Sequence, residues 1–252
     1  MPDMPSERPH LHAADEPDVL DYRAISGLAL LALSAGLGSS IAMMTSPPGW
    51  IIPLGGIALG IAALRRVERY APVLLGRKAA LAGLALSTVF LVAAPTAWFL
   101  YRRQVENEAR QFGALWFDFL LKNEPHKALQ LREHPTSRQP LDDALWQFYP
   151  KHSESRGQLE GFLREKGIRT LLALGDKATV RYYDTESQEA LDNRDAVHVV
   201  YAVTFHLGGE PTTFFIGLSM DRVRVPATGR AYWRLVTRSD GMHPRALGGP
   251  GM

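Results

Sequence analysis

The first hundred residues consist of long uncharged stretches separated by short polar ones. Apolar stretches occupy 24–45, 50–64 and 79–101, and none of them contains Asp, Glu, Lys, Arg or His. At a helical rise of about 1.5 Å per residue, the first and third are long enough to cross a hydrocarbon core of about 30 Å. The second is shorter, so a buried or re-entrant helix stays open beside a span. The pattern predicts three transmembrane helices.

Small residues recur at one-turn spacing inside these stretches. Ser34 and Gly38 form one such pair, Gly56 and Gly60 a second, and Gly83 stands four residues before a serine. Small side chains let helices approach closely in lipid. They predict close helix packing, either within one chain or between copies of it.

The loop between the second and third stretches is basic, whereas the first loop, TSPPGW, is uncharged. Its cations are Arg65, Arg66, Arg69, Arg77 and Lys78. Because positive loops stay in the cytoplasm, three spans predict a cytoplasmic N-terminus and an extracytoplasmic C-terminal domain. If the second stretch did not span, the C-terminal domain would lie on the other side.

Amphipathic helical patterns followed by alternating strand patterns fill the second half. Val105, Ala109, Phe112 and Trp116 fall on one stripe of a helix, and Val197–Leu207 alternates with a period of two. Further predicted helices cover 126–133, 141–149 and 158–166, and further strands cover 168–174, 177–184, 212–220 and 231–237. Helices followed by meandering strands predict an α+β domain over 102–240, between a disordered tail at 1–23 and a flexible tail at 241–252.

Composition excludes some functions. The net charge is only +2, so no nucleic-acid partner is expected. The chain has no cysteine, which removes disulfides, thiolate zinc sites and cysteine nucleophiles.

Each residue that could take part in catalysis or metal binding also has a purely structural explanation. His198 and His206 share a strand face but lie about 27 Å apart, too far to bind one metal ion. Asp142 and Asp143 precede a predicted helix and suit its dipole. His10 and His12, near Asp15 and Glu16, and His152, near Glu154, lie in predicted polar segments. Trp116, Trp146, Tyr149 and Trp233 fit a core or a pocket lining. We therefore expect no catalytic, cofactor-binding or metal-binding residues.

Two resemblances accompany these patterns. DYRAISGLALLAL, PPGWIIPLGGIALGIAALRRV and GRKAALAGLALS, within Asp21–Phe90, resemble a bacterial Gly/Ala-rich membrane domain family of unknown function. That resemblance implies no activity and no catalytic residues. It implies a bacterial cytoplasmic (inner) membrane as the location of this multi-pass chain.

The second resemblance covers Arg103–Ser239. An opening amphipathic helix, the segment NEPHKALQL and a final strand AYWRLV resemble the nuclear-transport-factor-2-like (NTF2-like, cystatin-like cone) superfamily. It implies a long helix packed in a curved antiparallel sheet of four to six strands. This superfamily includes enzymes, binding modules and assembly domains, so the fold does not specify a function.

The resulting expectation is a membrane-anchored, non-enzymatic binding or assembly module with no cofactor. One alternative is a small-ligand-binding or enzymatic cone domain tethered to the membrane, and another is an oligomeric membrane scaffold. The expected partners are the lipid bilayer and either a second copy of the chain or another membrane or envelope protein.

Overall fold

A computed structural model describes residues 24–44, 47–70, 74–191, 193–225 and 228–242. The predicted N-terminal tail with His10 and His12, and residues 243–252 of the C-terminal tail, lie outside these ranges. The chain divides into two compact units, Met1–Phe99 and Leu100–Met252.

Helices dominate the first unit. Helix α1 (Gly27–Gly38) continues as a 3-10 turn over Ser39–Met43, and a second 3-10 turn over Pro47–Trp50 leads into α2 (Ile51–Arg69). Helix α3 begins at Arg77 and continues to Leu121 through Pro95. Strand β1 (Ala24–Ile25) pairs in parallel with β2 (Leu74–Leu75), which places the starts of α1 and α3 side by side.

Two helices in the described ranges are long and apolar enough to cross a membrane, by length and composition. They are Pro48–Arg69 and Arg77–Leu121, whereas the first apolar helix, Gly27–Met43, is shorter. Two of the three predicted transmembrane helices therefore meet this criterion, and that of the second stretch does so because it continues past the uncharged residues to Arg69. The helix of the first stretch is shortened where it tightens into a 3-10 turn, and there Ser39 and Ser40 hydroxyls donate to the carbonyl oxygens of Ala35 and Leu37.

The second unit is α+β, with the long helix and a four-stranded antiparallel sheet. Its short helices are α4 (Pro125–Gln130), α5 (Leu145–Lys151), α6 (Ser153–Arg164) and α7 (Lys166–Leu174). Its strands are β3 (Thr179–Leu191), β4 (Arg194–Leu207), β5 (Glu210–Arg224) and β6 (Ala231–Asp240), in the order β3-β4-β5-β6. Register shifts in the β3–β4 and β5–β6 pairs contribute to the curvature of the sheet.

The predicted strand over 168–174 is wrong, because these residues belong to α7. Ile168 and Leu171, three residues apart, are both fully buried, which is a helical spacing. Gly167, which directly follows the helix predicted over 158–166, lies inside α7, and a Cβ there would overlap the carboxylate of Asp240. The helix ends instead at Gly175, whose positive φ of 50° favours glycine.

The alternation predicted in β4 is present, and it forms the base of the core. Val197, Val199, Tyr201 and Val203 are buried, and the Tyr201 ring lies 5.0 Å from that of Phe117 on α3. Tyr201 Oη donates a 2.7 Å hydrogen bond to the carbonyl oxygen of Arg110. Side chains of α3 and β4 therefore pack directly against each other in the core, and a space of about 410 Å³ beside them is lined by both α3 and the sheet.

Candidate functional site

The first unit has small residues inside and large apolar residues outside. Its buried cluster consists of Ala29, Ala32, Ala63 and Ala80. The large side chains at its surface are Leu30, Leu31, Leu37, Ile41, Ile51, Leu54, Leu81, Val89, Val92 and Phe99. This arrangement is the reverse of a soluble protein, in which large apolar side chains fill the core.

Glycines make the closest helix contacts of this unit. A Cβ on Gly83 would overlap the carbonyl oxygen of Ala32, and one on Gly36 would lie 2.6 Å from the carbonyl oxygen of Gly83. A Cβ on Gly56 would overlap the Ser87 hydroxyl, and one on Gly60 would lie 3.0 Å from Leu84 Cβ. Three residues predicted for helix packing, Gly56, Gly60 and Gly83, thus lie at contacts within one chain.

The other two predicted packing residues are placed differently. Ser34 is exposed, and no atom lies within 4 Å of a Cβ built on Gly38. The face of α1 that packs carries Gly36 and Ser39 instead, because they share a helical stripe with Ala29 and Ala32. Because Gly36 and Gly38 are both small but lie on different faces of α1, the sequence alone does not determine which face packs.

Basic and aromatic residues occupy opposite ends of these helices. Arg65, Arg66 and Arg69 lie in the last turns of α2, and Arg77 and Lys78 begin α3; all five are exposed. Trp50 precedes α2, and its ring lies 5.9 Å from that of Trp98. The helical rise from Lys78 to Trp98 is about 30 Å, the thickness of a hydrocarbon core.

In the second unit, a groove runs beside the edge strand β6. It has a volume of about 500 Å³ and lies between β6, the end of α4 and α6. Leu129, Phe162, Leu235 and Val236 contribute apolar walls, and Arg132 and Glu165 face each other across 3.2 Å. The groove can hold the apolar body of a ligand and offers charged groups at its side.

A smaller cavity of about 120 Å³ adjoins this groove. Four residues line both spaces: Arg132, Phe162, Glu165 and Leu235. The cavity is also lined by Trp116 of the long helix and by Thr237 and Arg238 of β6. Arg238 is held in place by Glu165, 3.0 Å away, and by Asp240, to which its Nη2 donates at 2.9 Å.

The residues considered for chemistry lie apart from one another. His198 contacts Ser219 through Nδ1 at 2.8 Å, His206 is exposed, and the His152 ring stacks on Phe148. Asp142 accepts a hydrogen bond from the backbone N–H of Ala144, before α5, and Asp143 lies 3.4 Å from Lys127. Within the described ranges, no three His, Asp or Glu side chains converge as a metal site requires.

The four candidate aromatic residues have different surroundings. Trp116 and Tyr149 are buried, Trp233 is partly buried and Trp146 is exposed. The Trp233 indole donates to Glu108 Oε2 at 3.2 Å, and Tyr149 Oη donates to the carbonyl oxygen of His126 at 3.2 Å. Trp116 alone among them lines the small cavity. The partner it meets there, Arg238, was missed because the two are far apart in sequence.

No protein-family model matches the chain, and no curated protein matches it. The resemblance of Asp21–Phe90 to a membrane domain family is therefore unsupported. Among solved structures, the chain is similar to an NTF2-like protein with a cystatin-like fold from Novosphingobium aromaticivorans. The two sequences are 15% identical, the match covers 60% of this chain and 95% of that one, and the TM-score is 0.36. The α+β architecture of the second unit is established by its own helices and strands.

Proposed function

We propose that this protein is a membrane-anchored, non-enzymatic binding module. The observation behind this proposal is the packing of the first unit. Alanine and glycine lie inside it, and leucine, isoleucine and valine lie on its surface. Contiguous apolar surfaces of this kind are rare on soluble monomers but suit contact with lipid. The lipid bilayer is thus the first partner.

All three apolar helices cross the membrane in this proposal. Helix α1 with its 3-10 turn, Gly27–Met43, is about 26 Å long if fully helical, near the lower limit for a span. It packs through Gly36 and Ala32 on Gly83 of the long helix, so its polar backbone is shielded by a neighbour.

The proposed location is the bacterial cytoplasmic (inner) membrane. The arginines at the end of α2 and the start of α3 lie on the cytoplasmic side, and Trp50 and Trp98 lie at the opposite interface. The N-terminus is then cytoplasmic, and the α+β unit is extracytoplasmic. We assign this unit to the cone-like class because a long helix packs in a curved four-stranded sheet.

The filled core favours binding at the edge of the domain rather than catalysis in its interior. Trp116, Phe117 and Tyr201 occupy the space between α3 and the sheet, where an interior active site would lie. Several spaces that a ligand can enter lie at the surface of this unit, and the groove beside β6 is one of them. We place the binding role at that groove because it combines apolar walls with the charged pair of Arg132 and Glu165.

A charge scan separates a membrane anchor from a soluble domain. Val92, in the middle of the third stretch, is 64% exposed, and Leu207, in the β4–β5 hairpin, is 67% exposed. In lipid, lysine at the centre of a span costs about 2.5–3.5 kcal/mol, so Val92→Lys should reduce the membrane-inserted fraction. Leu207→Lys should leave it unchanged.

The measurement is the fraction of each full-length variant that stays in membranes after an alkaline carbonate wash. Release of the unmodified chain by the wash would refute the anchor. Equal retention of Val92→Lys and Leu207→Lys would refute the lipid-facing position of Val92.

A further inference from the structure

Two arginines share one buried carboxylate on the face of the sheet that points away from the long helix. Arg222 contacts Glu108 of α3, and side chains alternate along a strand, so the neighbouring Asp221 lies on the other face of β5. Arg194 Nη1 donates to Asp221 Oδ2 at 3.1 Å, and Arg234 Nη2 donates to the same oxygen at 2.9 Å. One negative charge thus faces two positive charges, which leaves one positive charge in excess.

The two arginines line a pocket of about 650 Å³, called the arginine pocket below. Leu191 and Val223 contribute apolar walls, and His134 reaches the pocket from the loop after α4. Pockets of about 300–1,000 Å³ hold small organic molecules, so the space suits a ligand of that size.

The cationic side chains of this pocket are accessible. The exposed fraction is 45% for the Arg194 side chain and 31% for that of Arg234. Asp221 occupies one terminal nitrogen of each guanidinium; among the described residues, Arg194 Nη2 and Arg234 Nη1 donate to no other acceptor. Because a guanidinium only donates hydrogen bonds, a ligand that pairs with these nitrogens brings acceptor oxygens.

His134, which is exposed, supplies a third donor. The backbone N–H of Thr136 can only donate, and it donates to His134 Nδ1 at 3.4 Å. The proton of the neutral ring is therefore on Nε2, since one ring nitrogen accepts and the other donates. Within the part of the chain that the structure describes, this ring makes its hydrogen bonds through Nδ1, so Nε2 is available to a ligand.

The arrangement of the donors favours a phosphate group over a carboxylate. They come from three segments, namely β4, β6 and the loop after α4. A planar carboxylate is satisfied by a single guanidinium through two parallel hydrogen bonds. A phosphate monoester instead has three terminal oxygens and up to two negative charges, so it can accept from several donors at once.

We propose that the arginine pocket binds a phosphate monoester whose organic part is apolar. The phosphate accepts hydrogen bonds from Arg194, Arg234 and His134, and the organic part lies against Leu191 and Val223. This site is additional to the binding role placed at the groove beside β6.

Phenyl phosphate is a suitable probe, with benzoate as the carboxylate that has the same ring. The full-length protein in phosphatidylcholine nanodiscs is titrated with each, and binding is measured by calorimetry. Phenyl phosphate should bind at least tenfold more tightly than benzoate. Arg194→Gln should weaken its binding by roughly tenfold to hundredfold, as expected for losing a charge-assisted hydrogen bond, and Asp221 keeps Arg234 as its partner. Arg156→Gln removes an exposed arginine of α6 and should leave binding unchanged.

A second measurement uses an exposed residue whose replacement does not endanger folding. His134→Gln should weaken phenyl phosphate binding by about threefold to tenfold, which corresponds to one ordinary hydrogen bond. The imidazole NMR signal that is missing in this variant belongs to His134, and in the wild-type protein it should shift when phenyl phosphate is added.

A lipid headgroup and a soluble ester can both supply a phosphate monoester. A shift of the His134 signal in nanodiscs that contain phosphatidic acid, without added ester, would assign the phosphate to a lipid. A shift with phenyl phosphate alone would assign it to a soluble molecule.

Absence of phenyl phosphate binding, equal binding of benzoate, or an unmoved His134 signal would overturn the phosphate site. Equal weakening by Arg194→Gln and Arg156→Gln would overturn it as well. Arg194 lines the arginine pocket and not the groove beside β6, so its effect reports on this site separately from the proposed binding role. Inorganic phosphate binding as tightly as phenyl phosphate would overturn the contribution of the apolar walls.

Discussion

Arg222 Nε donates a 2.7 Å hydrogen bond to Glu108 Oε2, which joins strand β5 to the long helix α3. The same carboxylate accepts from Trp233 Nε1, and Gln104 donates to its other oxygen. Only 14% of the Arg222 side chain and 33% of the Glu108 side chain are exposed. We expect Glu108→Gln to lower the free energy of unfolding by about 1–3 kcal/mol, because a charge-assisted bond is lost.

The matched control is Glu160→Gln. Glu160 and Arg164 form an exposed i,i+4 pair with a 3.8 Å separation, and such pairs contribute about 0.5 kcal/mol or less. Unfolding of both variants is followed by tryptophan fluorescence in guanidinium. Equal effects of the two substitutions would contradict a special role for Glu108.

The contacts of Glu108 also predict how the free energy of unfolding depends on pH. Burial raises the pKa of Glu108, but hydrogen bonds from Gln104, Arg222 and Trp233 and the charge of Arg222 outweigh it, so its pKa lies below the usual 4.5. A depressed folded-state pKa means that the unfolded chain binds the proton first. The stabilisation is therefore present above pH of about 4.5 and is lost as the pH falls through the folded-state value. Unfolding of Glu108→Gln should depend less on pH in that window.

Gly113 lies in the middle of α3, where alanine would ordinarily stabilise a helix by about 1 kcal/mol. Here a Cβ would overlap the Tyr201 hydroxyl and lie 2.8 Å from Cζ of that ring. We expect Gly113→Ala to destabilise the protein by about 1–3 kcal/mol through overpacking. Gly157→Ala in α6, where no atom lies within 4 Å, should instead stabilise it by up to about 1 kcal/mol. Thermal unfolding distinguishes the two, and a stabilising Gly113→Ala would mean that the ring is not packed there.

Close packing of the helical unit can be tested with alanine at two glycines. A Cβ on Gly83 would overlap the carbonyl oxygen of Ala32 and lie 2.7 Å from the backbone nitrogen of Leu33, neither of which can rotate away. Gly83→Ala should therefore destabilise the helical unit by about 1–3 kcal/mol or more, whereas Gly38→Ala should be tolerated. Loss of helicity in an SDS titration measures the effect. Similar curves for both would show that α1 and α3 do not meet at Gly83.

The sequence predicts an element well where apolar residues recur at one spacing that only a strand or only a helix produces. Strand β4 is predicted because apolar residues recur at every second position from Val197 to Val203, and these residues are buried, although Val200 of the other face is buried as well. Residues 168–174 were assigned to a strand because a short apolar run, IRTLLAL, suits a strand and a helix equally well. The helix forms because it lets Ile168 and Leu171 both pack against the core.

Long-range contacts account for most of what the sequence left open. The sequence leaves open whether Trp116 belongs to the core or lines a pocket. In the structure it is fully buried in the core and lies next to the small cavity. Its neighbour Arg238 gave no local signal, because an arginine in a strand is ordinarily solvent-exposed. Which face of α1 packs depended likewise on Gly83, a residue of another helix.

The absence of cysteine from the sequence makes the orientation directly testable. Leu207→Cys places a single thiol on an exposed hairpin of the α+β unit, and Tyr70→Cys places one at the exposed end of the basic helix α2. If the basic end is cytoplasmic, a membrane-impermeant maleimide should label Leu207→Cys in intact cells, and Tyr70→Cys only after lysis. Replacing Arg65, Arg66 and Arg69 with glutamine should weaken the preference of this loop for the cytoplasm, and fewer chains should then expose Leu207→Cys to the maleimide in intact cells. Labelling of Tyr70→Cys in intact cells, with Leu207→Cys protected, would reverse the proposed orientation and place the groove beside β6 in the cytoplasm.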